Sequence, residues 1–199
     1  MIEPIDQRPW KRPVTGGSVR LAVVGTGVFA QTHVLPAIQS SKYCETTVLV
    51  SPEVETLDIK GDPERLLPES FHNGIAEDVY DAVYIATPNH LHKRIAETAV
   101  SLGKPVLCEK PLAATVESAR EIRKLFHDTD LQCLVGYRVQ FTPIIRALKS
   151  AICEGIIGTP IHAHSDVAFQ IATEAGGEWR LDATKGGGAL RDVGIYPIN

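Results

Sequence analysis

The chain is 199 residues long and short of several features that would narrow its class at once. Cysteine is scarce and scattered. Cys44, Cys108, Cys133 and Cys153 form no C-x-x-C pair, which excludes a disulfide-stapled scaffold and leaves no zinc-finger spacing. Reduced thiols in a cytoplasmic protein are the expectation, with no metal site. Positive charge is not in excess: 20 Lys and Arg stand against 24 Asp and Glu, for a net charge of −4. With no basic run, neither nucleic acid nor an anionic membrane surface is an expected partner. No apolar stretch approaches the roughly 20 residues of a membrane helix. Met1-Ile2-Glu3-Pro4-Ile5-Asp6 has no basic start and no apolar core, so no secretory leader is expected. Repeats and low-complexity tracts are absent. What remains is 44% hydrophobic and 22% charged, an ordinary globular composition with enough length for one full domain and part of another.

The most informative stretch runs from Val19 to Ala30. A buried-type strand, Val19-Arg20-Leu21-Ala22-Val23-Val24, leads straight into Gly25-Thr26-Gly27-Val28-Phe29-Ala30, and Thr32 to Ile38 reads as a helix. This is Gly-x-Gly-x-x-Ala in strand-turn-helix context. Gly25 permits the tight turn, Gly27 lets backbone approach a pyrophosphate, and Ala30 lets the helix sit close to the strand. The helix start offers N–H groups to phosphate. The competing reading is an ordinary glycine turn in an α/β sheet.

Beyond it, strands are expected at Thr46–Val50, Asp81–Ala86, Pro105–Cys108 and Gln132–Val135. Helices are expected at His90–Leu102 and Thr115–His127. Residues 51–79 are polar and broken by Pro52, Gly61, Pro63, Pro68 and Gly74, with one helical turn expected at Pro63–Leu67. The alternation predicts an α/β fold, a doubly wound parallel sheet, with ligands beyond the strand C-termini. After Gly136 the character changes. A helix is expected at Pro143–Glu154, a long strand at Thr159–Phe169, a loop over 170–187 and a helix over Gly188–Asn199. The domain reading is an arm at 1–18, a dinucleotide-binding domain at 19–137 and an incomplete second domain at 138–199.

Four clusters could carry chemistry. Thr87-Pro88-Asn89-His90-Leu91-His92 follows a strand, with Asn89 read as a helix N-cap and both histidines as surface residues at a helix start. Cys108-Glu109-Lys110-Pro111 places a charged pair at the end of an apolar strand, and Pro111 biases Lys110 to extended backbone. Asp192 and Tyr196 are four apart and share a helix face behind Gly186-Gly187-Gly188. A phenol and a carboxylate near a lysine can form an acid/base set. Trp179-Arg180 pairs an aromatic with a guanidinium. Each also has a bland reading, as a turn, a cap or an interfacial aromatic.

Taken together, these segments resemble the glucose-fructose oxidoreductase/inositol dehydrogenase/MocA family of NAD(P)-dependent oxidoreductases. The matching pieces are Gly25–Ala30, Thr87-Pro88-Asn89 with His92, Glu109-Lys110-Pro111, and Gly187-Gly188-Ala189 with Asp192 and Tyr196, in family order. Tyr196 stands where many members carry histidine. Tyrosine there, with Gly136-Tyr137-Arg138 and Trp179-Arg180-Leu181-Asp182, is most similar to the NADP-dependent D-xylose 1-dehydrogenase branch. The resemblance implies a Rossmann domain and the start of an open-sheet α/β domain. It implies hydride transfer from C1 of an aldopyranose, with Lys110, Tyr196 and Asp192 as catalytic residues. Tyr196 would take the hydroxyl proton, Lys110 would supply positive charge, and Asp192 would fix sugar or lysine. It further implies cofactor contacts from Gly25, Thr26, Gly27, Val28, Phe29, Ala30, Ser51, Thr87, Pro88, Asn89, His92, Glu109, Lys110, Arg138, Trp179 and Arg180. Strand two ends on Ser51 rather than on an acidic residue, so NADP is expected, with NAD as second choice. A small-molecule sugar is the implied partner, and homo-oligomers are implied for full-length members. The chain departs from the family in length, since it stops on the helix bearing Tyr196. A non-catalytic nucleotide-binding or regulatory fragment and a dihydrodiol dehydrogenase-type reductase are the alternative readings.

Overall fold

A computed structural model describes residues 17–57, 59, 61–170 and 178–199. All of the expected arm except Gly17 and Ser18 lies outside them. The chain divides into two units, Met1–Val83 and Tyr84–Asn199.

The first unit opens with β1 (Val19–Val24), whose last residues are buried as its apolar run predicts. A wide turn, Ala30–Val34, passes into α1 (Leu35–Ser40), which keeps Leu35 and Ile38 inside. Next comes β2 (Cys44–Val50), parallel to β1, with a one-residue irregularity between Leu21 and Ala22. Residues 64–66 correct the sequence reading. The helical turn expected at Pro63–Leu67 is instead a short strand, β3 (Glu64–Leu66), parallel to β2 through Val48↔Glu64 and Val50↔Leu66. The helix starts later, as α2 (Pro68–His72), with Pro68 in the first turn, where its missing N–H costs nothing. A proline-rich stretch gave no apolar alternation over three residues. Only pairing with β2 makes it a strand.

Strand β4 (Ala82–Ile85) crosses the division between the units. In the second unit follow α3 (His92–Ser101), β5 (Val106–Cys108), α4 (Val116–His127) and β6 (Cys133–Val135), with β5 and β6 parallel. The sheet order is β3-β2-β1-β4-β5-β6, the Rossmann order. Helix α4 is capped by the Thr115 side chain, which accepts a hydrogen bond from the Ser118 N–H at 3.1 Å.

Beyond β6 the second unit changes. Helix α5 (Pro143–Cys153) forms as expected but buries none of its residues. The long strand expected at 159–169 is absent. Those residues have neither strand nor helix structure and are exposed, Ile161 to 97%. A strand needs a neighbour to accept its hydrogen bonds, and none lies beside this segment among the described residues. The expected loop over 170–187 contains short 3₁₀ turns at Glu178–Leu181 and Ala183–Lys185, and 171–177 lie outside the described residues. The expected helix over 188–199 is a wide turn, Leu190–Gly194, continuing into α6 (Ile195–Ile198). Among the described residues no helix could cross a membrane, and no cluster of metal-ligating side chains converges.

Candidate active site

In the first unit, the glycine turn has the geometry its pattern predicts. Gly25 has φ +95°, open to glycine and strained for other residues, and its N–H donates to Val50 O at 2.9 Å. A β-carbon at Gly27 would meet nothing within 4 Å, so the space over that backbone is open. Ala30 is buried and Thr26 nearly so, while Val28 stands exposed. Gln31 ties the turn, donating from Nε2 to Thr26 O at 2.6 Å. Phe29 does not cover this space. It stacks on His33, ring centroids 5.2 Å apart. Ser51, at the end of β2, is buried, and its Oγ accepts from the Glu53 N–H at 3.4 Å. Arg65 of β3, which the sequence reading passed over, donates to Val54 O at 2.6 Å and to Leu57 O at 3.0 Å. It fastens the segment behind Ser51.

In the second unit the structure brings the expected catalytic residues together. Lys110 follows β5, and its ammonium donates to Asp192 Oδ1 at 3.0 Å and also to the Asp192 carbonyl. Lys110 and Asp192 side chains are each 14% exposed, so little water screens them. The same Nζ lies 5.0 Å from the centre of the Tyr196 ring, within cation–π range. Asp192 Oδ2 faces Arg180 Nε at 3.5 Å, and Arg180 stacks on Trp179 at 4.7 Å. One carboxylate therefore holds two cations. Of the two roles the resemblance left to Asp192, the structure shows the lysine contact.

Two further tyrosines belong to this neighbourhood, and the sequence reading gave neither a role. Tyr137 meets the Tyr196 ring edge-on, centroids 6.5 Å apart. Burial pushes the Tyr137 phenol up, and the nearby Tyr196 adds to it. Tyr84, in β4, donates to Glu109 Oε1 at 2.7 Å, while Glu109 Oε2 accepts from the Lys110 N–H at 3.3 Å. Burial first, then the Glu109 charge, drive the Tyr84 phenol far above its usual range, so it stays a donor. Arg138 lies close enough to oppose that shift. Gly136 is small for a reason: a β-carbon there would sit 3.1 Å from the Glu109 carboxylate. A tyrosine in a buried strand was the available signal for Tyr84, since a buried hydroxyl needs a partner.

The 86–92 segment departs from its reading. Asn89 is not an N-cap. It is buried, makes no capping bond, and sends Nδ2 to Gly186 O at 3.0 Å. His90 is exposed as expected, but His92 is not a surface residue. The helical period turns the His92 ring inward, to complete burial. Its Nε2 lies 2.9 Å from Thr87 O, and its Nδ1 lies 3.0 Å from Pro111 O and 3.3 Å from both Leu112 O and Cys108 Sγ. Burial pushes its pKa down against the pull of these carbonyls. With both nitrogens engaged, His92 offers a cofactor no free hydrogen bond. Pro88 precedes this turn in extended backbone. Thr87 Oγ1, at the exit of β4, is buried and has no hydrogen-bond partner among the described residues. Within the first unit, the open space at Gly27 fits the close approach of a dinucleotide's pyrophosphate.

Comparison with known proteins agrees with this geometry. Residues 19–137 match the family described as "Oxidoreductase family, NAD-binding Rossmann fold", and residues 145–199 match the "GFO/IDH/MocA C-terminal domain". D-xylose 1-dehydrogenase [NADP(+)] of Haloarcula marismortui is 40% identical over 98% of this chain and 56% of its own length. 1,5-anhydro-D-fructose reductase of Ensifer adhaerens is 31% identical over 89% of the chain and 54% of its own. Aldose-aldose oxidoreductase from Caulobacter crescentus, solved with glycerol, superposes with a TM-score of 0.70 at 26% identity, covering 90% of this chain and 55% of that one. The chain spans about half the length of the curated relatives it matches. With the Rossmann strand order, the glycine turn and the Lys110–Asp192–Tyr196 grouping in place, the chain belongs to the GFO/IDH/MocA family of oxidoreductases.

Proposed function

We propose that this chain carries the cofactor-binding and acid/base half of an NADP-dependent sugar dehydrogenase of the D-xylose 1-dehydrogenase type. The observation that carries the reading is the contact of one ammonium, Lys110 Nζ, with both Asp192 and the Tyr196 ring. In the first unit the Gly25–Ala30 turn would hold the pyrophosphate of the dinucleotide, and in the second unit the partnerless Thr87 hydroxyl is a candidate contact. Glu109, Pro88, Val28, Arg138, Trp179 and Arg180 are the remaining candidates for contact with it. Ser51, at the end of β2, tolerates a 2′-phosphate that a carboxylate would repel. When bound, the nicotinamide accepts the hydride from the sugar carbon. The chain's own part is the proton. As C1–H leaves with its electron pair, the C1 hydroxyl proton passes to the Tyr196 oxygen and the C1=O bond of the lactone forms. Lys110 sets a positive charge over the Tyr196 ring, where it offsets negative charge on that side chain during the transfer. Asp192 fixes that cation, and Arg180 keeps the three-charge group net positive.

The test is fluorescence titration with NADP and NAD, followed by D-xylose kinetics in the complete protein. NADP should bind more tightly. Gly27→Val should abolish binding of either, because its side chain fills the open space. Tyr196→Phe should lower kcat roughly a hundredfold or more while cofactor affinity stays near normal. Cofactor binding without turnover of any aldose would support a non-catalytic nucleotide-binding protein instead.

A further inference from the structure

The residues of the proposed acid/base set come from two segments far apart in sequence, the 109–112 loop and the 186–196 segment. Both are fastened to one short stretch, residues 89–92. Asn89 Nδ2 holds Gly186 O at 3.0 Å. His92, three residues on, holds Pro111 O at 3.0 Å, with Thr87 O at 2.9 Å on its other nitrogen. The fit is close at the first point. A β-carbon at Gly186 would come within 2.7 Å of the Ala114 Cα, and one at Gly187 within 2.4 Å of Arg180 O. The 186–188 segment therefore has little room to shift. At the second point both imidazole nitrogens face acceptors. The protonated ring satisfies both sides, and either neutral tautomer satisfies one carbonyl side. Both His92 nitrogens and the Asn89 amide nitrogen are thus committed to carbonyls of these two segments and of Thr87.

We propose that Asn89 and His92 are positioning residues, a two-point anchor that sets the Lys110–Asp192 pairing and so the place of Tyr196. This rests on the acid/base reading above for its consequence in catalysis, but not for its structural content. Displacing a reacting group by about 1 Å can cost around a hundredfold in rate, so the anchor has enough leverage.

Two measurements test it in the complete protein. The first is independent of activity. The Lys110 ammonium, held by Asp192, should give a slowly exchanging ¹⁵N NMR signal, assigned by its loss in Lys110→Met. Asn89→Ala and His92→Leu should broaden or abolish that signal. His92→Gln, which keeps one donor, should retain it in part. The second is the split between kcat and cofactor affinity. Asn89→Ala should lower kcat about tenfold or more, with the Kd for NADP within about twofold of wild type. His92→Gln should retain more activity than His92→Leu. If His92→Leu does not fold, Asn89→Ala and His92→Gln still decide the matter. A Kd for NADP that rises in step with the loss of kcat would overturn the proposal, because the residues would then be cofactor contacts. An unchanged Lys110 signal in folded variants would overturn it too. A wild-type protein that shows the signal and its loss in the variants, yet oxidises no sugar, would leave the anchor standing and remove the functional reading.

Discussion

Helices α4 and α5 are near twins in sequence terms and opposites in the folded chain. Each runs about three turns with apolar residues at helical spacing and a threonine immediately before it. Helix α4 puts Ile122 and Phe126 into the core, at 1% and 7% exposure. Helix α5 leaves Ile144, Leu148 and Ile152 at 77%, 51% and 40%. Amphipathic spacing states that a helix has a face to bury. It does not state what will cover that face. The same holds beyond α5, where 159–169 has strand-like alternation and no strand.

The largest effect expected from this contrast is in core truncation. Phe126→Ala should cost about 3–5 kcal/mol, the usual price of emptying a buried aromatic site. Leu148→Ala, on the open face of α5, should cost about 0.5 kcal/mol or less. Urea denaturation of both variants measures the difference. A loss at Leu148 as large as that at Phe126 would break the comparison, by showing that something covers α5 in solution.

A second effect separates the regions by pH. Tyr80 is fully buried in the first unit, and burial, aided by Glu77, pushes its phenol up to about 12. An unfolded tyrosine ionises near 10. Below that value both states are protonated and the contribution is fully present. Between about 10 and 12 the unfolded chain has lost the proton that the folded one keeps, so stability falls by about 1.4 kcal/mol per pH unit. Tyr80→Phe should flatten that decline. No tyrosine lies between Arg138 and Ile195, so the α5 stretch has no such term. Circular dichroism at rising pH in mild urea reads it. An equally steep decline in Tyr80→Phe would place the sensitive group elsewhere.

These contrasts also show what could be read from the residues. The glycine turn was legible because Gly25, Gly27 and Ala30 act through backbone conformation and space, which their identities specify. The grouping of Lys110, Asp192 and Tyr196 was legible as a set of residue types, and the resemblance supplied the pairing. The partners of Asn89, His92 and Tyr84 were not. Each has at least one partner, a carbonyl or carboxylate, brought up from 19 to 97 positions away, and local spacing carries no record of that. Strand β3 was missed for a related reason. Three residues become a strand only when a neighbour offers its edge.

The smallest effect lies at the start of the two helices and isolates local structure from burial. Thr115 caps α4 by accepting from the Ser118 N–H, which satisfies one of the helix's free donors. Thr142 occupies the equivalent place before α5, but its hydroxyl donates backward to Val139 O at 2.8 Å and makes no capping bond. Pro143 already removes one donor there, so less is left for a cap to satisfy. Thr115→Ala should therefore cost about 1 kcal/mol, and Thr142→Ala only a few tenths. Replacing Thr115 by serine should restore most of the loss, since its hydroxyl can take the same bond. Thermal denaturation of the three variants checks this. Equal losses at Thr115 and Thr142 would mean that Thr142 turns to cap α5 in solution, and the two helices would then differ only in what covers them.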